Sequence, residues 1–144
     1  MRALAEQIVG AARVWLGTPY RHQAATLGAG CDCLGLVRGV WREIYGREPM
    51  AVPNYGADWR DASQRNGLLE AAHALMQPAG GAPEAGQLVL FRLQRSLPPR
   101  HCGIMVAPDR FIHAQEAIGV VEANMSESWR RRVAGNFAFP EIGS

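Results

Sequence analysis

The order of hydrophobic periods in this chain predicts an α+β fold, with helices packed on a small antiparallel β-sheet. Three observations carry that prediction. Apolar residues recur at helical spacing through the first half of the sequence. Short runs rich in Val, Ile, Leu and Phe, separated by Gly, Pro and Asp, fill the second half. No linker, repeat or low-complexity tract divides the 144 residues, so residues 1–144 read as a single domain with room for a real core.

Leu4, Ile8, Ala12 and Trp15 stand at helical spacing, widened by Val9 and Leu16. They predict a helix over residues 3–16, closed by Gly17 and Pro19. Residues 17–31, rich in Gly and Ala, read as loop. Leu36, Val37, Val40, Trp41 and Ile44 predict a second helix over Cys33–Tyr45, stopped at Gly46. Pro49, Pro53, Asn54 and Gly56 make residues 47–60 a long loop, in which Tyr55 and Trp59 are candidate docking or substrate contacts. Leu68, Leu69, Ala72, Leu75 and Met76 predict a third helix over 62–77, followed by a turn-rich connector at 78–86. The strands are GQLVLF (86–91), HCGIMVA (101–107), RFIHA (110–114) and GVVEA (119–123), with NFAFP (136–140) as a fifth.

With 48% hydrophobic and 19% charged residues, the composition is that of an ordinary globular protein. The net charge of +2 is too small to argue for a nucleic-acid partner. All 15 basic residues are Arg, a side chain suited to carboxylate partners. Glu6, Gln7 and Arg13 interrupt any apolar stretch of a signal peptide. Nothing approaches the ~18 apolar residues of a membrane span. The expectation is synthesis in the cytoplasm without an export address, with three free thiols and no disulfide framework.

Chemistry concentrates in GAGCDCLGLVRGVW, residues 28–41. Asp32 is a good N-cap, which puts Cys33 in the first turn of the second helix. There the helix dipole favours a thiolate, and backbone N–H groups are suited to a developing oxyanion. Cys31 lies before the cap and gains little of this. Cys102 follows His101 on a strand and faces the other way, as a core residue beside Ile104 and Val106.

A thiol nucleophile needs an imidazole and a group that orients it. His101 opens one strand and His113 closes the next. A strict two-residue turn at Pro108-Asp109 would put them on opposite faces. A three-residue loop or a bulge would pair Gly103 with His113 and bring the histidines to one face. The catalytic reading therefore demands that irregularity. His22 sits in the loop near Tyr20, beside a possible cleft, while His73 reads as structural or surface.

These residues resemble the NlpC-type cell-wall cysteine peptidases, which have a small papain-like fold. GTPYRH (17–22) is similar to the family's Gly-x-Pro-Tyr loop, and CDCLGLV (31–37) to its Asp-Cys-Ser-Gly-Leu motif. GQLVLF resembles its Gly-Asp-Leu-Val strand, and HCGIMVAPDRFIHA (101–114) its histidine hairpin. The resemblance implies Cys33 as nucleophile, His101 as general base and then acid, and His113 as orienting residue. It implies Tyr20 and Asp32 along the substrate cleft, with Asp32 recognising a free amine; His22, from its place in the loop near Tyr20, is a further candidate substrate contact, although HQA (22–24) departs from the family's Trp-Gly-Gly-like stretch. The implied reaction is hydrolysis of the D-γ-glutamyl–diamino acid amide of peptidoglycan, with no metal and no cofactor. Leu34 stands where many members carry Ser, and Gln87 replaces the usual Asp. CDCLGLVRGVW and PYRHQA are most similar to the branch found in tailed phages and gene transfer agents. Tail or baseplate proteins are then partners, the localisation is a phage-like particle, and neither nucleic acid nor membrane insertion is involved.

Three other readings compete. Cys31, Cys33, His101, Cys102 and His113 are metal-ligand types, but C-x-C is not the usual C-x-x-C knuckle. A catalytically silent assembly module of a tail tip would share the fold. An acyltransferase or another amidase would share the triad. The run Arg130–Arg132 reads as a solvated basic face, or as a contact for anionic wall or a partner.

Overall fold

In the computed structural model, which describes residues 3–49 and 67–142, the chain starts with helix α1 (Leu4–Val14). Its buried stripe is Ile8, Ala11 and Ala12, and Trp15 closes it. Helix α2 (Cys33–Tyr45) is bounded as the sequence predicts, because both ends carry strong signals. Asp32 caps the first turn, and Gly46, at φ 82°, takes the left-handed conformation that stops it. Its face of Leu36, Val37, Val40 and Trp41 is buried. Trp15 packs on α2 at Gly39, where a Cβ would stand 2.0 Å from the indole.

Residues 17–31 are more ordered than a loop. Strands β1 (Ala25–Thr26) and β2 (Gly30–Cys31) pair as a small antiparallel ribbon, and Tyr20 bridges to Cys31. Strands of two residues carry no period, so composition alone hides them. Helix α3 spans Gly67–Leu75, and the predicted positions 62–66 lie outside the described residues. So does the stretch 50–60 with Tyr55 and Trp59.

After α3 come β3 (Gln77–Pro78), β4 (Gln87–Phe91), β5 (His101–Ala107), β6 (Arg110–Gln115) and β7 (Gly119–Asn124). A short helix α4 (Glu127–Arg130) precedes β8 (Val133–Ala138). They form an antiparallel six-stranded sheet in the order β3-β8-β4-β5-β6-β7. The last strand begins three residues earlier than NFAFP suggests, because it pairs with β4 from Val133 onward. Phe139 lies beyond the strand and packs on Trp41.

Both faces of the sheet are apolar. Leu88, Leu90, Cys102, Ile104, Ile112 and Ala114 join α1 and α2 in the main core. Val89, Phe91, Met105 and Phe111 form a second core with Met125, Trp129 and Val133. Burying each large side chain contributes about 1.5–3 kcal/mol. The two faces thus hold rigid the strands that carry the histidines.

Candidate active site

The start of α2 is built from backbone hydrogen bonds to one carboxylate. Asp32 Oδ1 accepts from the Gly35 N–H at 2.7 Å, and Oδ2 from the Gln23 N–H at 2.7 Å. His22 Nδ1 stands 3.8 Å from the same Oδ2. Gln23 takes a left-handed φ of 64° to present its N–H. Gly35 has no room for a side chain, because a Cβ would lie 1.8 Å from the Ala24 carbonyl. The loop and the helix end are therefore clamped together. Burial, and then the Cys33 charge beside it, push the Asp32 carboxyl up, while the two N–H bonds and His22 pull it back. The resemblance implies a substrate contact for Asp32. In the structure this carboxylate is fully buried and already bonded to the chain itself.

The three thiols are free and buried in different settings. Cys31 lies in β2, held by its N–H to the Pro19 carbonyl and its carbonyl to the Arg21 N–H, both at 3.0 Å. Burial, with Asp32 and Cys33 adding to it, pushes its thiol up to about 12. Cys31 is therefore neutral and unreactive at physiological pH. The same pairing sets Tyr20 alongside the start of α2. Cys33 is the first residue of α2. Cys102 Sγ approaches the Cys33 carbonyl at 3.5 Å, which ties the helix start to the residue next to His101.

The hairpin of β5 and β6 shows the irregularity that the histidine pair requires. Ala107 pairs with Arg110 across a two-residue turn, and the register then shifts, so that Met105 faces Phe111 and Ile104 faces Ile112. Val106 is the bulged residue. The next position sets Gly103 opposite His113, on the face that holds His101. A Cβ at Gly103 would lie 2.9 Å from the Ile112 carbonyl and 3.3 Å from the His113 Cβ. His101 Nε2 and His113 Nδ1 are 2.8 Å apart, a hydrogen bond between the two rings.

His113 is 1% exposed, and burial, followed by the His101 charge, pushes it down to about 3. It is neutral at any physiological pH. Its Nε2 is buried and has no hydrogen-bond partner. We assign the tautomer from this chemistry: His113 accepts at Nδ1 from the His101 Nε2–H and keeps its own proton on Nε2. The remaining His101 nitrogen, Nδ1, is then left as a base.

Aromatic rings surround the pair. Phe91 stacks on His101 at 5.9 Å, and Phe111 lies 4.8 Å from His113. Trp129 of α4 lies 5.9 Å from His101 and 5.3 Å from His113. Sequence reasoning did not single out these rings. Phe111 had a signal, since it stands two residues from His113 on one strand face. Trp129 had none, because only the fold of α4 brings it there.

Two groups result. Asp32, His22, Tyr20 and Cys33 gather at the start of α2, while His101 and His113 share the second face of the sheet. Cys102 links them. Among the described residues, no three His, Cys, Asp or Glu side chains converge as metal ligands would.

The sequence profile of the NlpC/P60 family matches residues 17–137. A curated relative from Escherichia coli strain K12, named as a murein DD-endopeptidase and LD-carboxypeptidase (MepS), is 29% identical over 119 residues, 82% of this chain. That match covers 54% of the relative, so the chain spans about half its length. The fold is similar to an NLP/P60-family lipoprotein-like structure from Staphylococcus aureus, with a TM-score of 0.66 at 20% identity over 98% of this chain and 42% of the other. It is also similar to the NlpC/p60 domain of the peptidoglycan hydrolase SagA, with a TM-score of 0.61 at 22% identity over 95% and 98% of the two chains. NlpC1 of Trichomonas vaginalis shows a TM-score of 0.65 at 19% identity over 94% and 44%.

Proposed function

The chain belongs to the NlpC/P60 family, and on that premise we propose that it is a cysteine peptidase that cleaves peptidoglycan stem peptides. The observation that carries this reading is the 2.8 Å bond between His101 and His113, brought to one face by the bulge at Val106 and given room by Gly103. In this reading Cys33 is the nucleophile, His101 the base and acid, and His113 the orienting acceptor.

His101 Nδ1 takes the thiol proton, and the Cys33 sulfur attacks the amide carbon. The C–S bond forms as the carbonyl π electrons move to oxygen. N–H groups at the start of α2 and the Tyr20 hydroxyl face the developing charge. The imidazolium returns its proton to the leaving nitrogen as the C–N bond breaks. Water, deprotonated by His101, then hydrolyses the thioester. Through the cycle the neutral His113 accepts from Nε2–H and keeps the ring in place. In this reading the exposed His22 borders the substrate, and the buried Asp32 holds the loop that carries it against the start of α2.

Within this reading the scissile bond is the D-γ-glutamyl–diamino acid amide, and the setting is a phage-like tail whose proteins are its partners. The tail setting is supported by the wording of CDCLGLVRGVW and PYRHQA alone. Mass spectrometry of purified peptidoglycan after digestion tests the reaction. The wild type releases stem-peptide fragments and Cys33→Ala releases none. Fragment masses separate the γ-glutamyl cut from DD or LD cuts. Absence of fragments from several wall chemotypes, with the protein folded and its thiols reduced, overturns the hydrolase reading and favours an assembly module.

A further inference from the structure

The buried Nε2 of His113 has no conventional hydrogen-bond partner. With Nδ1 accepting from His101, the ring's own proton is on Nε2. A buried N–H without an acceptor is costly, and folded proteins leave few of them. The surroundings of this one are aromatic. Phe111 is tilted at 53° to the His113 ring. Trp129 stands at 81° to it, edge to face, with centroids 5.3 Å apart. An aromatic ring is negative on its face and positive at its edge, so an N–H aimed at the face makes a weak hydrogen bond.

His101 meets the same indole differently. Its ring lies 31° from the plane of Trp129 and 28° from that of Phe91, each at 5.9 Å. A cation within about 6 Å of a ring centre, over its face, is attracted to it. An imidazolium gains from such neighbours, and a neutral imidazole gains little. The indole therefore meets edge to face the histidine that stays neutral, and closer to parallel the one that turns cationic. Arg132 lies over the ring at 5.6 Å from its centre, so the indole already holds one cation. The chain fixes Trp129 in this place. Its N–H donates to the Ser126 hydroxyl at 3.3 Å. On one side of α4 the Met125 N–H donates to the Asp109 carbonyl in the β5–β6 turn at 2.7 Å. On the other the Arg132 carbonyl accepts from the Arg92 N–H, just past β4, at 2.7 Å.

We propose that Trp129 is a positioning residue for the histidine pair: its π system takes the Nε2–H of His113 and stabilises the imidazolium of His101. The first contact locks the tautomer of His113 and so keeps Nδ1 as the acceptor for His101. The second favours the state in which His101 has taken the thiol proton. The role in turnover rests on the peptidase reading, and the N–H contact does not. The titratable and charged groups around His101 are His113 on β6, Arg100 before it on β5, Arg92 after Phe91 on β4, and Arg132 beyond the indole. Cys33 joins them in the peptidase reading.

NMR of the full chain with isotope-labelled histidine tests the contact without substrate. In the wild type the His113 proton should be found on Nε2, shifted upfield by the indole ring current. Trp129→Leu keeps apolar bulk without a π system and should abolish that shift. Trp129→Phe, with a weaker ring current, should keep a reduced shift, and it decides the question if the Leu variant does not fold. A proton found on Nδ1, or an Nε2–H signal that neither variant moves, overturns the contact. The kinetic arm follows kcat and KM on stem peptides across pH. Trp129→Leu should move the alkaline limb down by about half to one pH unit and lower kcat more than it changes KM, while Trp129→Phe restores most of the profile. An alkaline limb unmoved in Trp129→Leu overturns the charge role. A wild type without turnover overturns the peptidase reading and the role in turnover with it, and the NMR arm still decides the contact.

Discussion

Asp32 and His113 are both buried ionisable side chains beside the chemistry, and the molecule treats them in opposite ways. Asp32 sits among N–H donors: two backbone groups bond its oxygens, and His22 approaches one of them. His113 sits among rings, with one polar partner and one nitrogen left bare. The first environment is made by residues 22–35, close in sequence. The second draws on positions 91, 101, 111, 113 and 129, which only the sheet and α4 bring together. Helix-end polarity therefore builds the thiol side of the site, and water exclusion builds the imidazole side. Chemistry that moves a proton between them needs both.

The largest way to break this contrast is Trp129→Ala, which opens the ring cluster to water. Loss of a half-buried indole should cost about 2 kcal/mol of stability. With water restored, His113 rises toward its ordinary value. It then protonates at higher pH and can no longer accept from His101. The acid limb of the activity profile should move upward in pH, which a purely structural loss would not produce.

Asp32→Asn sharpens the other side. The amide still caps Gly35 through its oxygen, but its NH₂ meets the Gln23 N–H donor to donor. The expected cost is about 1–3 kcal/mol, read as a lower midpoint in denaturant unfolding. The pH profile should keep its acid limb, because the histidine face is untouched.

Gly103→Ala is a smaller probe of the hairpin. Its methyl group presses on the Ile112 carbonyl and the His113 Cβ. A cost of about 1–2 kcal/mol is expected from overpacking, with a fall in kcat larger than any change in KM. A separate check is the pH dependence of stability that His113 contributes. Its folded value of about 3 lies below the unfolded value near 6.5, so the unfolded chain binds the extra proton between them. Its contribution is complete above about pH 6.5 and declines toward pH 3, by at most about 1.4 kcal/mol per pH unit. His113→Phe should flatten that slope in urea titrations at several pH values.

These two environments also explain what the sequence discloses. The ends of α2 were legible because Asp32 and Gly46 are local signals with single physical meanings. Parity made a three-residue loop or a bulge a requirement of the catalytic reading, since two histidines on adjacent strands share a face only if the register slips; the structure has the bulge, at Val106. Cys102 was legible as core by the same alternation. The β1–β2 ribbon was hidden because two-residue strands have no period. The early start of β8 was hidden because Arg130–Arg132 masks it. Trp129 was hidden because tertiary packing alone gives it its neighbours.

The central claim is that Cys33, and neither of its fellow thiols, is the reactive one, and that His101 makes it so. Iodoacetamide labelling, mapped to each cysteine by peptide mass across pH 5–8, compares all three in one molecule. Cys33 should label fast even at mildly acidic pH, at a rate that falls in His101→Ala, while Cys31 and Cys102 stay unlabelled until the protein unfolds. Labelling of Cys33 no faster than Cys31, or a Cys33 rate unchanged by His101→Ala, would contradict the account.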